Sequence, residues 1–292
     1  RSVQRFIIGD MPGTLFVVAT PIGNLEDLTF RARRVLGEVD LIAAEDTRRT
    51  GRLLTHYGIN TPVISLHEHN ERREAPRMVE RLQRGESVAL VSDAGTPGIS
   101  DPGTSLVAMA RAAGLTVTPI PGPSAVTAAL SVSGFPATPF TFLGFPPSSG
   151  KARTEWFERL EALEGTVVFF EAPHRIERTL RELQELVTRP ILVGREVSKL
   201  YEQWVTQPNS MISMDSARGE FVVTVGPKVE AARTNDIDPQ SLAMSFDQIR
   251  GASALTDDQV ETALGAVYGL PPSRVRRLIK EGRIARKQAG LA

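Results

Sequence analysis

Short apolar runs alternate with amphipathic stretches over the first 120 residues of the chain. Thr29 is expected to cap the first helical stretch, and Asp101 and Pro102 suit the cap and first turn of the last one. Strands that alternate with helices in this way indicate a largely parallel sheet with helices on its faces. The pattern predicts strands at 15–19, 41–44, 63–66 and 88–91, and helices at 30–36, 48–57, 74–84 and 104–114, with glycines at 37, 58, 85 and 114 ending the helices.

The run Pro119–Ala125 interrupts this alternation, and its proline and glycine content predicts a hinge between two domains. Close spacing of the last strands beyond the hinge indicates that part of the second sheet is antiparallel. A polar linker is expected at 228–240. The pattern after the hinge predicts helices at 125–132, 151–163 and 176–186, strands at 140–143, 166–170, 190–193, 201–206 and 221–225, and three terminal helices at 241–250, 257–268 and 273–282.

The predicted fold class is therefore α/β, with two α/β domains at 12–121 and 122–227, the linker, and a basic helical tail at 241–292. Residues 1–11 are interpreted as a leader or cloning remnant and are left out of the fold prediction.

Composition narrows the classes of function. The 292 residues are 41% hydrophobic and 23% charged, which is typical of a globular protein with a real core. Because 34 basic residues balance 34 acidic ones, any nucleic-acid surface must be local. The absence of cysteine excludes disulfides, cysteine-ligated zinc and thiol nucleophiles. With no membrane-spanning apolar run and no visible signal peptide, a cytoplasmic protein without a membrane partner is expected.

The loop Ser92–Gly103 follows the apolar strand at 88–91 and combines glycine, proline and carboxylate residues. Ligands of open α/β sheets sit beyond the carboxyl ends of the strands. Glycine lets a ligand approach the backbone closely. The loop is therefore either a ligand site or a plain turn-rich connection, and a carboxylate such as Asp93 would suit an ammonium group or a diol, or would cap the loop itself.

Five motifs in order carry a resemblance to a known family. They are Thr20–Thr29, Ala43–Arg48, Ser92–Gly103, Pro121–Ala125 and Glu171–Arg175. The chain from about Gly13 to Pro227 resembles the ribosomal RNA small-subunit methyltransferase I family, within the wider tetrapyrrole methylase superfamily. The tail matches it only loosely.

The resemblance implies a homodimer, with S-adenosylmethionine held in a cleft between the two domains. It also implies methyl transfer to the ribose 2′-hydroxyl of a cytidine in small-subunit (16S) ribosomal RNA. Ser124 and Ala125 would then meet the cofactor from the second domain, while Phe170 and Phe221 either line an adenine pocket or belong to the core. The expected cofactor-binding residues are Pro21, Asp93, Ala94, Gly95, Thr96, Ser124, Ala125, Phe170 and Phe221.

Methyl transfer to a weakly acidic hydroxyl would benefit from a general base. The sequence does not rank the candidates, and Glu45 or Asp46 could instead cap the following helix and pair with Arg48 or Arg49. His174 and Arg175 either hold a phosphate or form a solvated turn. No metal site is predicted, since the two histidines at 67 and 69 lack a third placed ligand. The residues considered for the base are Glu45, Asp46, His67, His69 and Glu171.

The tail concentrates positive charge that Glu281 alone opposes within its last helix. Phosphate contacts supply most nonspecific RNA affinity, so we expect this cluster to contact ribosomal RNA or the small ribosomal subunit. Two other functions remain open: carbon methylation of a tetrapyrrole, and a non-catalytic RNA-binding or assembly role. The cluster consists of Arg274, Arg276, Arg277, Lys280, Arg283, Arg286 and Lys287.

Overall fold

The computed structural model describes residues 12–187, 189–207, 219–228, 237–268, 270 and 272–288. Within these residues the chain forms two five-stranded sheets followed by three packed helices. The leader interpreted at 1–11 and residues 229–236 of the expected linker lie outside the described residues. None of the described helices is both long enough and apolar enough to cross a membrane.

The first sheet is entirely parallel, as the alternation of strands and helices predicts. Its strands are β1 (Thr14–Val18), β2 (Leu41–Ala44), β3 (Val63–Ser65), β4 (Val88–Val91) and β5 (Thr116–Ile120). Its helices are α1 (Phe30–Glu38), α2 (Thr47–Tyr57), α3 (Glu71–Gln83) and α4 (Thr104–Ala112). The strand order is β3-β2-β4-β1-β5, so the carboxyl ends of β2, β4 and β1 lie side by side at one edge.

Apolar clusters cover both faces of this sheet. Because side chains on either side of a strand are buried, the strands are continuous apolar runs. Every residue of β2 and β4 is buried. In β2, Leu41 and Ala43 belong to the apolar cluster on one face, and Ile42 and Ala44 belong to the cluster on the other. The period-2 alternation of side chains therefore feeds two cores at once.

Helix ends follow the predicted residues in part. Thr29 caps α1, since its hydroxyl accepts a hydrogen bond from the Ala32 N–H at 3.0 Å. Gly58 ends α2 in the left-handed conformation (φ 66°). The predicted end at Gly37 is wrong, because α1 continues to Glu38. Asp101 does not cap α4 either: Gly103, at φ 115°, holds that position, where a Cβ would come within 2.6 Å of the Leu90 side chain.

The strand β5 is absent from the sequence prediction because Pro119 falls inside it. Proline lacks the N–H that a central strand must donate, but it is tolerated at an edge. β5 pairs with β1 alone and is an edge strand, with Pro119 opposite Val17. The expected hinge at 119–125 is therefore shorter than predicted, because its first two residues belong to the sheet.

The second sheet is mixed, as the spacing of its last strands predicts. Its strands are β6 (Phe140–Phe142), β7 (Thr166–Glu171), β8 (Ile191–Arg195), β9 (Gln203–Gln207) and β10 (Phe221–Val225). Its helices are α5 (Ala125–Ser133), α6 (Gly150–Ala162) and α7 (Ile176–Leu186). The order is β6-β7-β10-β8-β9, with β6 parallel to β7 and the other neighbours antiparallel.

Three helices follow and share a core of their own, built around Leu242, Phe246 and Leu278. They are α8 (Pro239–Ala252), α9 (Asp257–Tyr268) and α10 (Pro272–Gln288). The helix predicted to reach Gly282 continues to Gln288. A Cβ at Gly282 would lie 1.9 Å from the Pro239 carbonyl oxygen, so this glycine lets α10 pack directly against the start of α8.

Candidate active site between the two sheets

A cavity of ≈ 390 Å³ lies between the carboxyl edge of the parallel sheet and one end of the mixed sheet. Its volume is in the range of small-molecule sites. The wall from the parallel sheet carries the carboxylates of Glu45, Asp93 and Asp101. The wall from the mixed sheet is mainly apolar and includes Glu171 and Glu220. The lining includes Ile22, Glu45, Arg49, Asp93, Ala94, Gly95, Thr96, Asp101, Ser124, Ala125, Val126, Phe145, Phe170, Phe221 and Val222.

The loops that leave β1 and β4 are joined at this edge by backbone hydrogen bonds. The Thr20 N–H donates to the Gly95 carbonyl at 2.9 Å, and the Gly95 N–H donates to the Thr20 carbonyl at 3.0 Å. The buried Thr20 hydroxyl also donates to the Ser92 carbonyl at 3.1 Å. These bonds hold the two loops at a fixed separation under the cavity.

Gly95 shapes the cavity, but both of its backbone groups are already engaged. The sequence predicts it as a cofactor-binding residue, and it borders the cavity with its N–H and carbonyl bonded to Thr20. Its φ of 82° favours glycine, and a Cβ there would be 3.5 Å from Ile22 Cγ2. Its contribution is therefore the turn itself and the space left beside Ile22.

Asp93 connects two neighbouring loops as well as lining the cavity. One carboxylate oxygen accepts from the Asp46 N–H at 2.9 Å, and the other lies 3.3 Å from Arg49 Nη1. Its own N–H donates to Glu45 Oε2 at 3.3 Å. The Asp93 carboxylate therefore ties the loop after β4 to the loop after β2 and to α2, at a position that borders the cavity.

Three carboxylates, Glu45, Asp93 and Asp101, meet at the cavity with Arg49 beside them. Burial raises the pKa of Glu45, assisted by the charge of Asp93 and opposed by the hydrogen bond from the Asp93 N–H. Burial also raises the pKa of Asp101 to about 6, with the charges of Glu45 and Asp93 adding to it and a hydrogen bond with Ser92 opposing it. Sequence reasoning missed both Asp101 and Arg49 as cavity residues. A second carboxylate in the Ser92–Gly103 loop was the available signal, and the wrong helix-cap prediction concealed it.

The mixed sheet supplies the apolar wall. Phe170 and Phe221 come from β7 and β10, which pair so that Val222 lies opposite Phe170. Phe221 is 3% exposed and belongs to the core as well as to the cavity lining. Phe170 packs against the ring of Phe145, with their centroids 5.5 Å apart. Both phenylalanines therefore line the cavity and pack against the core of the mixed sheet.

The remaining predicted cofactor residues divide between two cavities. Ala94, Thr96, Ser124 and Ala125 all border the main cavity. Pro21 does not belong to its lining and instead borders a smaller neighbouring cavity of ≈ 160 Å³ behind Asp93. Asp93 and Arg49 border both cavities, so Pro21 lies on the far side of these two residues from the main cavity.

Two of the three carboxylates proposed as catalytic bases are occupied by structural contacts. Asp46 caps α2 by accepting from the Arg48 N–H at 2.8 Å, and the Arg48 guanidinium lowers its pKa. Glu171 has a fully buried side chain whose oxygens accept from the Ala172 N–H, Arg175 and Thr179. These contacts leave Glu45 as the member of the three that faces the cavity without a cationic partner within 4 Å in the described part of the chain.

The histidine motifs do not assemble a site. The rings of His67 and His69 lie edge to face with centroids 5.8 Å apart, outside the cavity lining. Within the described residues, no group of three histidine, aspartate or glutamate side chains is arranged to hold a metal ion. Arg175 is paired with Glu171 at 2.7 Å and donates to the Pro146 carbonyl, while His174 is exposed.

The basic cluster on α10 is less free than the sequence indicates, because acidic residues of α8 and α9 pair with it. Arg276 binds Glu261 and Asp258 at 2.6 and 2.9 Å. Asp247 pairs with Arg283 and Arg286. Arg277 pairs with Glu281 within α10. In the described part of the tail, the cationic side chains outside these ion pairs are those of Arg274, Lys280 and Lys287.

The cavity residues fit the cofactor that the resemblance implies. S-adenosylmethionine has a planar aromatic adenine, a ribose diol and an ammonium group. Ile22, Val126 and Phe221 offer apolar contact for a planar base. The carboxylates of Glu45 and Asp93 are the acceptors that a diol and an ammonium group need. The chemistry of the two walls therefore matches the two kinds of surface on this molecule.

Comparison with known proteins defines the class of fold. The family model "Tetrapyrrole (Corrin/Porphyrin) Methylases" matches residues 14–210. A diphthine synthase structure superimposes with a TM-score of 0.56 at 14% identity, covering 73% of this chain and 89% of that one. A uroporphyrin-III-C-methyltransferase from Thermus thermophilus gives 0.52 at 20% identity, covering 73% of this chain and 94% of that one. The fold is that of the tetrapyrrole methylases, with an additional helical unit at its carboxyl end.

Curated relatives narrow the class further. "Ribosomal RNA small subunit methyltransferase I" of Xylella fastidiosa (strain Temecula1) is 45% identical over 82% of this chain and 96% of its own length. The protein of the same name from Synechocystis is 41% identical over 92% of this chain and 98% of its own length. This chain belongs to the ribosomal RNA small subunit methyltransferase I family. S-adenosylmethionine, the methyl donor that the resemblance implies, is the cofactor of this family.

Proposed function

We propose that this protein transfers a methyl group from S-adenosylmethionine to the ribose 2′-hydroxyl of a cytidine in small-subunit ribosomal RNA. The observation that carries the proposal is the cavity between the two sheets, with carboxylates on one wall and apolar side chains on the other, in a chain of this family. The cofactor supplies an electrophilic methyl carbon when bound. The protein's own contribution is to bind, orient and exclude water.

Binding requires both walls at once. Val126 of α5 and Phe170 of β7, which pack in one apolar cluster of the mixed-sheet half, border the cavity and suit contact with adenine. Glu45 and Asp93 present carboxylate oxygens from the opposite wall. Because Asp93 is fixed by the Asp46 N–H and by Arg49, its position is set before any ligand arrives. Such preorganisation lowers the entropic cost of binding.

RNA contact would involve the helical tail. A folded RNA must bring a ribose to a partly enclosed cavity, which involves drawing a nucleotide out of its stack at a cost of a few kcal/mol. Contacts remote from the reacting atoms can offset that cost. Arg274, Lys280 and Lys287 are the cations best placed to meet phosphates, since α8 and α9 neutralise most of the others. A cytoplasmic location accords with a ribosomal substrate.

We also propose that the molecule is a homodimer formed by the two sheet-containing halves and not by the tail. The full-length chain and a chain that ends at Pro227 should then both sediment as dimers. A monomeric truncated chain beside a dimeric full-length one would contradict this assignment.

Methyl transfer is tested with methyl-labelled cofactor and three acceptors: unmethylated small ribosomal subunits, naked small-subunit RNA, and a reduced tetrapyrrole. We expect label in RNA, at a phosphodiester that becomes resistant to alkali because a 2′-O-methyl group blocks its cleavage. Nucleoside digestion should give labelled 2′-O-methylcytidine. Label in a base would refute the ribose assignment, and label in the tetrapyrrole would favour carbon methylation.

A matched pair of variants tests the placement of the cofactor. Asp93→Ala should weaken cofactor binding measured by calorimetry, because it removes a cavity carboxylate that also fixes Arg49. Asp40→Ala is the control. Asp40 precedes β2, at the end of the parallel strands away from the cavity, and its carboxylate accepts a hydrogen bond from the Ser87 N–H. Wild-type affinity in Asp93→Ala would argue against the placement. Binding of RNA without any heat from the cofactor in the wild type would favour the non-catalytic alternative.

A further inference from the structure

A segment of the mixed-sheet half reaches across to the parallel-sheet half beside the cavity. It consists of residues 196–199, which follow β8, and is called the strap below. The Ser198 hydroxyl donates a hydrogen bond to a carboxylate oxygen of Asp27, 171 positions away in the sequence. Val197, the residue before Ser198, borders the cavity. The strap is therefore a connection between the two halves in addition to the covalent one at 121–124.

The backbone of the strap is strained. Glu196 and Ser198 have φ values of 51° and 68°, and neither is glycine. Left-handed backbone at such residues costs free energy and persists where surrounding contacts enforce it, often at ligand clamps. The Glu196 N–H donates to the Glu220 carbonyl at 2.9 Å, and Glu196 Oε1 accepts from the Glu220 N–H, also at 2.9 Å. These two bonds hold the base of the strap against the residue that precedes β10.

The parallel-sheet half presents a fixed surface to the strap. Asp27 ends a 3-10 turn, Leu25–Asp27, which Asn24 caps by accepting from the Glu26 N–H at 3.1 Å. The Tyr57 hydroxyl of α2 donates to the Leu25 carbonyl. The turn that carries Asp27 is therefore anchored within its own half.

Gly23 permits a second close contact with the strap. A Cβ at Gly23 would lie 2.2 Å from Lys199 Cγ. Lys199 Nζ lies 2.9 Å from Glu196 and 3.0 Å from Glu220, so the charged end of this side chain stays on the mixed-sheet half while its stem contacts the loop after β1. Ile22, next to Gly23, lines the cavity, as does Glu220. The strap thus contacts segments that form both walls.

We propose that the strap sets the separation of the two cavity walls, with Asp27 and Ser198 as positioning residues for the cofactor. The inference rests on the placement of S-adenosylmethionine in this cavity, which belongs to the proposed function. A ligand that contacts both walls is retained while the walls are held together and is released when they separate. Loss of the Asp27–Ser198 bond should therefore speed release of the cofactor without impairing methyl transfer once the cofactor is bound.

Ser198→Ala and Asp27→Ala test the strap, with Glu26→Ala as the control. Glu26 is an exposed acidic residue of the same turn. We expect the rate constant of cofactor release, measured by chasing labelled with unlabelled cofactor, to rise about tenfold in each variant, the effect of one hydrogen bond to a charged group. The double variant should release the cofactor no faster, because both substitutions remove the same bond. Asp27→Asn keeps an acceptor oxygen and should recover part of the loss.

Steady-state kinetics separate a positioning role from general damage. In Ser198→Ala, KM for the cofactor should rise by about the same factor as the release rate, while kcat at saturating cofactor should not fall. The urea midpoint should stay close to the wild-type value, since the bond is only partly buried. A joint fall of kcat and of the midpoint would indicate a purely structural contact and overturn the proposal.

Gly23→Ala perturbs the strap from the other side. The new Cβ would displace the Lys199 stem, so cofactor release should accelerate, whereas Gly37→Ala, where a Cβ meets nothing within 4 Å, should leave it unchanged. Lys199→Ala removes Cγ, so adding Gly23→Ala to it should change release no further. An additional effect of Gly23→Ala in that background would contradict the contact.

A crosslink tests the strap in the opposite direction, because the chain contains no cysteine. In the double variant Asp27→Cys/Ser198→Cys, a short bifunctional thiol reagent applied to the cofactor-loaded protein should slow release below the wild-type rate. A monofunctional reagent on the same variant should not. Wild-type release from the crosslinked protein, or from both Ser198→Ala and Asp27→Ala, would overturn the strap.

These outcomes are distinct from failure of the proposed function. Wild-type cofactor affinity in Asp93→Ala would remove the cofactor from this cavity, whatever the strap variants do. A wild-type protein that binds the cofactor but methylates no RNA would refute the proposed reaction, while the release rates would still decide whether the strap holds the walls together.

Discussion

Replacing Glu171 by alanine should destabilise the mixed-sheet half of the protein. Glu171 ends β7 with none of its side chain exposed. One oxygen accepts from the Ala172 N–H and from Arg175, both at 2.7 Å, and the other accepts from the Thr179 hydroxyl at 2.5 Å. The Arg153 guanidinium lies 4.0 Å away. The substitution removes all of these partners together.

The size of the destabilisation depends on the interactions that Arg153 and Arg175 keep after Glu171 is removed. Removing one member of a buried ion pair costs about 3–5 kcal/mol, because the other charge is left uncompensated. Arg153 keeps Glu182 at 2.6 Å, and Arg175 is 19% exposed and can be rehydrated. Glu171→Ala should therefore lose free energy of unfolding near the lower limit of that range, about 3 kcal/mol. Glu171→Gln keeps the volume and one acceptor oxygen and should cost less, about 1–3 kcal/mol.

Tryptophan fluorescence during urea unfolding measures this effect selectively. The chain has two tryptophans, Trp156 on α6 and Trp204 on β9, and both report on the mixed-sheet half. With a slope of about 2 kcal/mol per M, a loss of 3 kcal/mol lowers the midpoint by about 1.5 M urea. Glu185→Ala is the control, since Glu185 is an exposed residue of α7, and its midpoint should stay close to wild type.

An alternative role for Glu171 as the general base gives the opposite result. Glu171→Ala would then unfold at the wild-type urea concentration, bind cofactor normally and lose kcat alone. That combination would refute the structural role derived from the hydrogen bonds.

Three further predictions concern other parts of the molecule. Thr29→Ala removes the cap of α1 and should cost about 1 kcal/mol by thermal unfolding, whereas Thr29→Ser should not. Lys280→Ala should reduce the steepness of the plot of log RNA-binding constant against log salt concentration by somewhat less than one. Arg276→Ala should leave that slope unchanged, because two acidic partners already neutralise its guanidinium. Equal slopes for the two variants would contradict this prediction. Phe145→Ala should raise KM for RNA roughly tenfold by removing a stacking surface at the cavity, with cofactor affinity unchanged by calorimetry.

The strands, the helices and the family could be derived from the sequence because they depend on local patterns. The bounds of β4 and α7 agree with the periodicity of their apolar residues, since side-chain periods of 2 and 3.6 are set by the backbone alone. The Gly- and Pro-rich loops follow the carboxyl ends of the predicted strands, and the cavity lies at that end of the parallel sheet. Pro119 hid β5, because only pairing with β1 makes that segment an edge strand.

The tertiary structure decided which carboxylates near the cavity are bound by protein donors and which are not. Asp93 and Glu171 look alike in sequence, as acidic residues near strand ends, but donors from other segments reach them differently. The Asp46 N–H, 47 residues away, binds Asp93, and the Arg153 network encloses Glu171, whereas no cationic side chain among the described residues pairs with Asp101. The same holds for the tail, where Asp247 and Glu261 of other helices neutralise arginines that α10 alone would leave free. A charge is free or paired according to which partners the fold brings within 4 Å, and sequence separation does not report that distance.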